Sequence, residues 1–182
     1  YNMRRSKILS PEIAPNAAHQ ALADFEASYA GEFLLVTQNV DDLHQRAGSK
    51  KILPMHGELL KVRCLDTGEV YDWREDLNGQ TPHPNDASRL GRLRPHIVWF
   101  GEMPMGMEMI EHAATSADVF LAIGTSGVVY PAAGIVEWTP PGCRKIEVNL
   151  DDTPKSPNFD EALRGKASEV VPNLLKELAD AT

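Results

Sequence analysis

The chain has 182 residues, 42% hydrophobic and 24% charged, which suits an ordinary globular protein of one domain, or one domain plus a small lobe. Acidic residues outnumber basic ones by 26 to 18, and the resulting charge of -8 argues against general nucleic-acid binding, because phosphate neutralisation needs clustered Lys and Arg. The one basic stretch, MRRSK at 3–7, is too short to reverse that balance, and no apolar run approaches the ~20 residues that span a bilayer, so no membrane partner is predicted.

In chain order, YNMRRSK predicts a short helix, followed by a connector between Pro11 and Pro15. Asn16 can cap the next helix, in which Ala17, Leu22, Ala23 and Phe25 supply a small and apolar face and Gly31 the stop. Phe33 to Val36 form an unbroken apolar run of the kind a parallel sheet buries on both faces, and polar residues at 37–41 interrupt it. KILPMHGE, HIVWFGE, DVFLAIGTS and RKIEVNLDD repeat that pattern, each an apolar run ending in glycine or small polar residues. Helices are predicted at 105–117 and around Ala132–Trp138. The tail from Ser168 to Ala181 carries Leu174, Leu175 and Leu178 at helical spacing, with Pro172 tolerated in the first turn. Strand followed by helix, repeated, means an α/β fold with a mostly parallel sheet, whose ligands bind beyond the carboxyl ends of the strands. Residues 61–95 break the rhythm. They are polar and turn-rich, with a hairpin-like turn at Thr67-Gly68, and are read as a small inserted module.

Two polar clusters sit at strand ends of this kind. In TQNVDDLH at 37–44, polar groups after a buried-looking strand are costly unless they meet a ligand or one another. Asn39 serves equally well as a cap for the following helix, with Asp42 in its first turn. His56, in MHGE at 55–58, can take a proton at neutral pH, since imidazole titrates at about 6.5; the same position suits a structural, hydrogen-bonded histidine. GTSG at 124–127 offers N–H groups and hydroxyls to a phosphate or ribose, although no G-x-G-x-x-G is present. His83 and Cys64 lack partners at metal-ligand spacing, so no metal site is predicted. Cys64 and Cys143 are expected to be reduced thiols in a cytoplasmic protein.

TQNVDDLHQRAG at 37–48, MHGE at 55–58, PHIVWFGEMP at 95–104, IGTSGVVYPAAG at 123–134 and VNLD at 148–151 stand in the order and spacing of the sirtuin sequence blocks. Over essentially its whole length the chain resembles a bacterial sirtuin, of the subgroup that prefers acidic acyl groups. The resemblance implies a Rossmann-like α/β domain over 31–60 and 96–182, with a mostly parallel sheet and helices on both faces. It also implies a helical substrate-side segment at 1–30, with the 61–95 module standing where sirtuins carry a zinc lobe. NAD is the implied cofactor and acylated lysines of proteins the implied partners, the activity being NAD-dependent deacylation. His56 matches the general base that acts on the nicotinamide-ribose hydroxyls. Gln38 matches the residue that holds that ribose, and Asn39 and Asp41 those around the nicotinamide pocket. Gly124, Thr125 and Ser126 resemble the turn against the NAD phosphate and adenosine ribose, Asn149 and Leu150 the adenosine contacts, and Ser168 stands close to the last adenine contact. Val98, Phe100, Gly101 and Glu102 match the edge that clasps an acyl-lysine peptide by main-chain hydrogen bonds. Tyr1 and Arg4, three apart on a helix, match the pair that holds the distal carboxylate of succinyl- or malonyl-lysine.

The chain departs from the family pattern in two places. The two C-x-x-C pairs are missing and only Cys64 remains, so the module is expected to fold without zinc around Val62, Leu65, Val70, Tyr71, Trp73 and Leu93. The glycine-rich NAD turn that opens sirtuins is missing too. Its loss removes a central strand, so the fold is expected to be incomplete at the N-terminus and completed by a longer parent chain. Mono-ADP-ribosyl transfer from the same pocket, or non-catalytic binding of NAD or acyl-peptide, stay open as alternatives, as does the oligomeric state.

Overall fold

The computed structural model describes residues 1–180; Ala181 and Thr182, where the anticipated tail helix and domain end, lie outside the described residues. The helices are α1 (Asn2–Ile8), α2 (Ala17–Ser28), α3 (Leu43–Ala47), α4 (Met107–Thr115) and α5 (Ala167–Asp180). The strands are β1 (Leu35–Thr37), β2 (Ile52–Pro54), β3 (Gly57–Cys64), β4 (Val70–Asp72), β5 (Pro82–His83), β6 (Asp86–Leu90), β7 (Leu93–Ile97), β8 (Val119–Ile123), β9 (Arg144–Asn149) and β10 (Glu161–Arg164). They form two compact units. The first gathers residues 1–14, 37–43 and 54–105, and the second 15–36, 44–53 and everything from Gly106. The 1–30 segment is thus shared between the units, and the 61–95 module falls within a larger one.

The second unit holds the expected parallel sheet, in the order β10-β9-β8, with Leu121 beside Ile146 and Val148 beside Leu163. Ile146 and Val148 are fully buried against Ala18 and Leu22 of α2 and Val171, Leu174 and Leu175 of α5. Burial of several large side chains, each contributing about 1.5–3 kcal/mol, makes this the main core of the unit. Asn16 caps α2 as read from the sequence, its side chain accepting from the Ala18 and His19 N–H groups at 2.9 and 3.2 Å. The helix ends at Ser28, before Gly31, because Tyr29 turns extended. Glu26 ties its far end down, accepting the Lys51 N–H at 2.7 Å and the Lys50 N–H at 3.0 Å. Among the described residues β8 pairs along one edge only, with β9, and Val119 at its start is exposed.

Four expectations shift in detail. The run at 33–36 yields a shorter strand that starts two residues later, at Leu35–Thr37. Residues 132–138 form a 3-10 helix. Pro172 lies past the first turn of α5, where it gives no N–H to the Ser168 carbonyl. HIVWFGE does not join the parallel sheet, because its strand, β7, runs antiparallel to β3 in the first unit.

That first unit is built on the antiparallel order β4-β3-β7 and the small β5-β6 pair. Thr67-Gly68 makes the expected hairpin, with Gly68 at φ +75 and its N–H on the Cys64 carbonyl at 3.0 Å. Val62, Cys64 and Leu93 are buried with Tyr71, Trp73 and Leu77 packed against them. Leu65 and Val70 correct the expected list: both are exposed, and the Cys64 sulfur and Leu77 fill the core instead. The alternation of β3 points Val62 and Cys64 inward, whereas Leu65 lies beyond the strand end.

Candidate active site

In the first unit, His56 lies between β2 and β3, and Gly57 explains why the chain turns there. Gly57 has φ +83, and a Cβ on it would stand 2.8 Å from the Ile97 Cα and against the His96 carbonyl, so only glycine lets β3 pass this close to β7. The half-buried His56 ring has its Nδ1 3.0 Å from the Gln38 carbonyl oxygen. A carbonyl only accepts, so Nδ1 carries the hydrogen, and in the neutral ring Nε2 keeps its lone pair. The Gln38 backbone therefore fixes the tautomer that makes a base of Nε2. Around it, the Met55 N–H donates to Thr37 O at 3.0 Å and the Leu59 N–H to Val40 O at 2.8 Å, tying the TQNVDD segment to both flanks of His56. Asp41, rather than Asn39, bonds the entry to α3, its side chain accepting the Leu43 N–H at 3.1 Å in an Asx-type turn; the Asn39 N–H goes to the Thr37 hydroxyl at 3.1 Å and Asn39 is exposed.

The VWFGE segment is joined to the base directly, since the Val98 N–H donates to the His56 carbonyl at 2.9 Å. Gly101 has φ +87 and Phe100 is fully exposed. The Glu102 carboxylate is occupied within the protein: it accepts from Arg94 at 2.6 and 3.0 Å and from the Trp99 N–H at 2.9 Å. The Arg94 guanidinium bonded to it pulls its pKa down to about 2. Any role of Glu102 toward a peptide therefore belongs to its main chain. The Arg94 guanidinium also lies 3.5 Å over the Trp99 ring, and the Tyr1 ring stacks on Trp99 at 6.4 Å. Tyr1, Asn2, Met3, Leu77 and Pro95 line a shallow open cleft beside this array. Tyr1 is the N-cap of α1 and Arg4 is exposed on that helix.

Sequence reasoning missed Arg5. It is the buried member of the RR pair, 1% exposed, with Nε on Leu59 O at 3.1 Å and Nη1 on Glu75 O at 3.0 Å and Asn2 Oδ1 at 3.1 Å. Two adjacent arginines give no sign of which one turns inward. Cys64 was read only as a leftover, yet its sulfur sits in a polar cradle. The Thr67 hydroxyl and backbone N–H, with help from Asp66 N–H and His83, lower its pKa to about 6. Arg89 Nη2 lies 3.7 Å from the sulfur, and Arg89 and Arg92 both pair with Asp66. Among the described residues no three His, Cys, Asp or Glu side chains converge on a possible metal position.

In the second unit the polar strand ends stand at the carboxyl side of the parallel sheet. Gly124, at φ +62 with open space where a side chain would stand, and Gly127, at φ +66, frame Thr125 and Ser126 after β8. Asn149, at the end of β9, clips this turn by donating its side-chain N–H to Thr125 O at 2.6 Å. Leu150 beside it is exposed, and half-buried Ser168 lies in the first turn of α5. The carboxyl ends of parallel strands are where α/β sheets hold ligands.

A model of the Sir2 family matches residues 1–131. A protein of Rhodopirellula baltica, called an NAD-dependent protein deacylase, is 62% identical over 98% of this chain and 78% of its own length. A protein of Yersinia pseudotuberculosis with the same name is 52% identical over 97% of this chain, which spans 64% of that relative. Among solved structures, a Sir2 homologue in complex with NAD superposes at a TM-score of 0.87, with 36% identity over 100% of this chain and 70% of its own. A Sir2 protein bound to a myristoylated histone peptide superposes at 0.76, with 34% identity over 92% of this chain and 73% of its own. With the family model covering most of the chain, and these relatives sharing its Rossmann-like α/β fold throughout, the chain belongs to the Sir2 family.

Proposed function

We propose that this chain carries out NAD-dependent removal of acyl groups from protein lysines. The observation that carries the reading is His56, whose Nδ1–H on the Gln38 carbonyl leaves Nε2 free to accept a proton. NAD, when bound, supplies the ribose that takes over the acyl group, so that nicotinamide and O-acyl-ADP-ribose leave. Nε2 is the chain's acceptor for a ribose hydroxyl proton, and the Gln38 carbonyl stabilises the imidazolium that results. The Gly124–Gly127 turn fits such a cofactor, because exposed Gly124 and Ser126 offer backbone and hydroxyl groups at the sheet's carboxyl end. The exposed residues Phe100 and Gly101, next to half-buried Val98, suit an extended acyl-lysine peptide, read with little demand on its side chains.

Within this proposal succinyl and malonyl chains are the preferred acyl groups, with acetyl also accepted. Support comes from exposed Arg4 and from Tyr1, which Trp99 holds beside the VWFGE edge. A cytoplasmic setting belongs to the same reading and is supported by the two unpaired cysteines.

The test incubates the full-length protein with NAD and matched succinyl-, malonyl- and acetyl-lysine peptides, following deacylated peptide and nicotinamide by mass spectrometry. Acyl-dependent nicotinamide release that disappears in His56→Ala is expected, together with loss of the acidic preference alone in Arg4→Met. Label passing from NAD onto protein without acyl-dependent nicotinamide release would overturn the reading in favour of ADP-ribosyl transfer.

A further inference from the structure

β9 is the central strand of the parallel sheet, and its side chains alternate between two faces. Ile146 and Val148 enter the core with α2 and α5, while Glu147 between them points to the opposite face and is 1% exposed. An ionised carboxylate in such a place is costly, and an apolar side chain of similar volume is often the more stable choice. Three donors satisfy it: the Thr153 hydroxyl at 2.7 Å, the Ser156 hydroxyl at 2.6 Å and Arg164 at 2.7 Å. Two of the three lie in the loop that leaves β9 just after Asn149 and Leu150.

This loop is knotted around the same two hydroxyls. The Thr153 N–H donates to Ser156 Oγ at 2.8 Å and the Lys155 N–H to Thr153 Oγ1 at 3.2 Å. Arg164 reaches Ser156 Oγ at 3.1 Å and Asp152 at 2.6 Å. The knot in turn presses on the turn after β8. A Cβ on Gly127 would stand 3.1 Å from Thr153 Oγ1 and 3.2 Å from the Lys155 Cβ. Lys155 also pairs with Glu137 and lies 5.2 Å from the centre of the Tyr130 ring. A single carboxylate beneath the sheet's carboxyl end is therefore tied to the loop after β9 and, through it, packed against the turn after β8.

We propose that Glu147 is a positioning residue for the cofactor, holding the 151–156 loop against Gly127 so that the Gly124–Ser126 turn and Asn149–Leu150 stand ready for the adenosine half of NAD. The inference rests on the NAD-dependent reading above and concerns affinity for the cofactor, not chemistry at His56. Glu147→Gln keeps the shape but removes the charge facing Arg164, and turns one acceptor into a donor facing hydroxyls that must then reorient. Ser156→Ala removes, at a half-buried loop position, the hydroxyl that donates to Glu147 and accepts from the Thr153 N–H and Arg164, and leaves the sheet untouched.

The full-length protein and both variants are assayed by varying NAD at saturating acyl-peptide, and by calorimetric titration with ADP-ribose. Losing the carboxylate charge is expected to raise the KM for NAD and the Kd for ADP-ribose about tenfold in Glu147→Gln, and losing the Ser156 hydroxyl that donates to it to raise both at least about threefold in Ser156→Ala. The kcat and the peptide KM stay within about twofold, because neither variant touches the reacting atoms. A merely structural role would lower the melting temperature and the active fraction without this split. Folded variants that bind ADP-ribose as tightly as the parent, or that lose kcat at unchanged KM, overturn the inference. If Glu147→Gln fails to fold, Ser156→Ala decides alone. Wild-type protein that binds ADP-ribose in a Glu147-dependent way but releases no nicotinamide with any acyl peptide would overturn the deacylase reading and leave the positioning role standing.

Discussion

Arg4 and Arg5 are adjacent and chemically identical, yet the structure assigns them opposite work, and replacing each by methionine separates the two. Arg5 is 1% exposed and donates to the Leu59 and Glu75 carbonyls and to Asn2. Burial lowers its pKa, partly countered by Asp76, so the protein already bears a cost for keeping it charged. Methionine fills much of the same volume but leaves two carbonyls without donors, at ~1–3 kcal/mol each. Relief of the guanidinium's desolvation offsets part of this, for a net loss of about 2–4 kcal/mol. At about 2–4 °C per kcal/mol for a chain of this size, Arg5→Met should melt roughly 4–16 °C lower. Arg4→Met, at an exposed position, should stay within about 0.5 kcal/mol of the parent. Urea and thermal unfolding measure the stabilities, and the succinyl-to-acetyl rate ratio at a temperature where all variants are folded measures selectivity. Arg5→Met should keep that ratio and Arg4→Met should lose it. Equal stabilities for Arg5→Met and the parent, or the same loss in Arg4→Met, would refute the placement of the two side chains.

Gly57→Ala should destabilise the first unit by at least ~2 kcal/mol, because it combines a positive φ with backbone contact at His96 and Ile97, and should abolish activity by displacing His56; unchanged urea unfolding would contradict the close approach of β3 and β7. The Cys64 thiol, acidified chiefly by the Thr67 hydroxyl, should ionise near pH 6, so the thiolate's contribution to folding is complete above the ordinary thiol pKa and lost as pH falls through about 6. Thiolate ultraviolet absorbance in parent and Cys64→Ser checks this, with Cys143 silent because burial raises its pKa; a midpoint in the ordinary thiol range would refute the cradle. Trp99→Ala should lower the succinyl-to-acetyl ratio of kcat/KM by about tenfold, with Trp99→Phe retaining most of it, if stacking is what holds Tyr1; a ratio unmoved by Trp99→Ala would detach Tyr1 from acyl selection.

The segments that sequence periodicity located best are those whose burial is decided locally. Asn16 announced α2, the run before GTSG announced β8, and the leucines after Pro172 announced α5. Strand direction was not legible, because an apolar run such as HIVW reads the same beside a parallel or an antiparallel neighbour; only its pairing with β3 settles it. β10 went unnoticed, since EALR alternates only weakly and takes its place by lying along β9. The exposure of Leu65 and the burial of Arg5 are likewise tertiary facts, fixed by partners 54 and 70 residues away in the case of Arg5. His56 stood out in the sequence through the blocks around it. What the sequence did not contain was the Gln38 carbonyl at its Nδ1, because backbone atoms carry no residue signature.

The flank of β8 that pairs with no strand among the described residues bears on how this stretch of chain behaves at high concentration. Its apolar VFLAI backbone presents N–H and C=O groups along one side, and Val119 is already open to water. An apolar border of that sort is a template for strand addition, so two copies meeting there can zip together edge to edge. Colloidal instability of the 182-residue chain would then be set by one strand's border rather than by weak folding, and a single lysine at half-buried Phe120 should delay clouding without moving the melting temperature much.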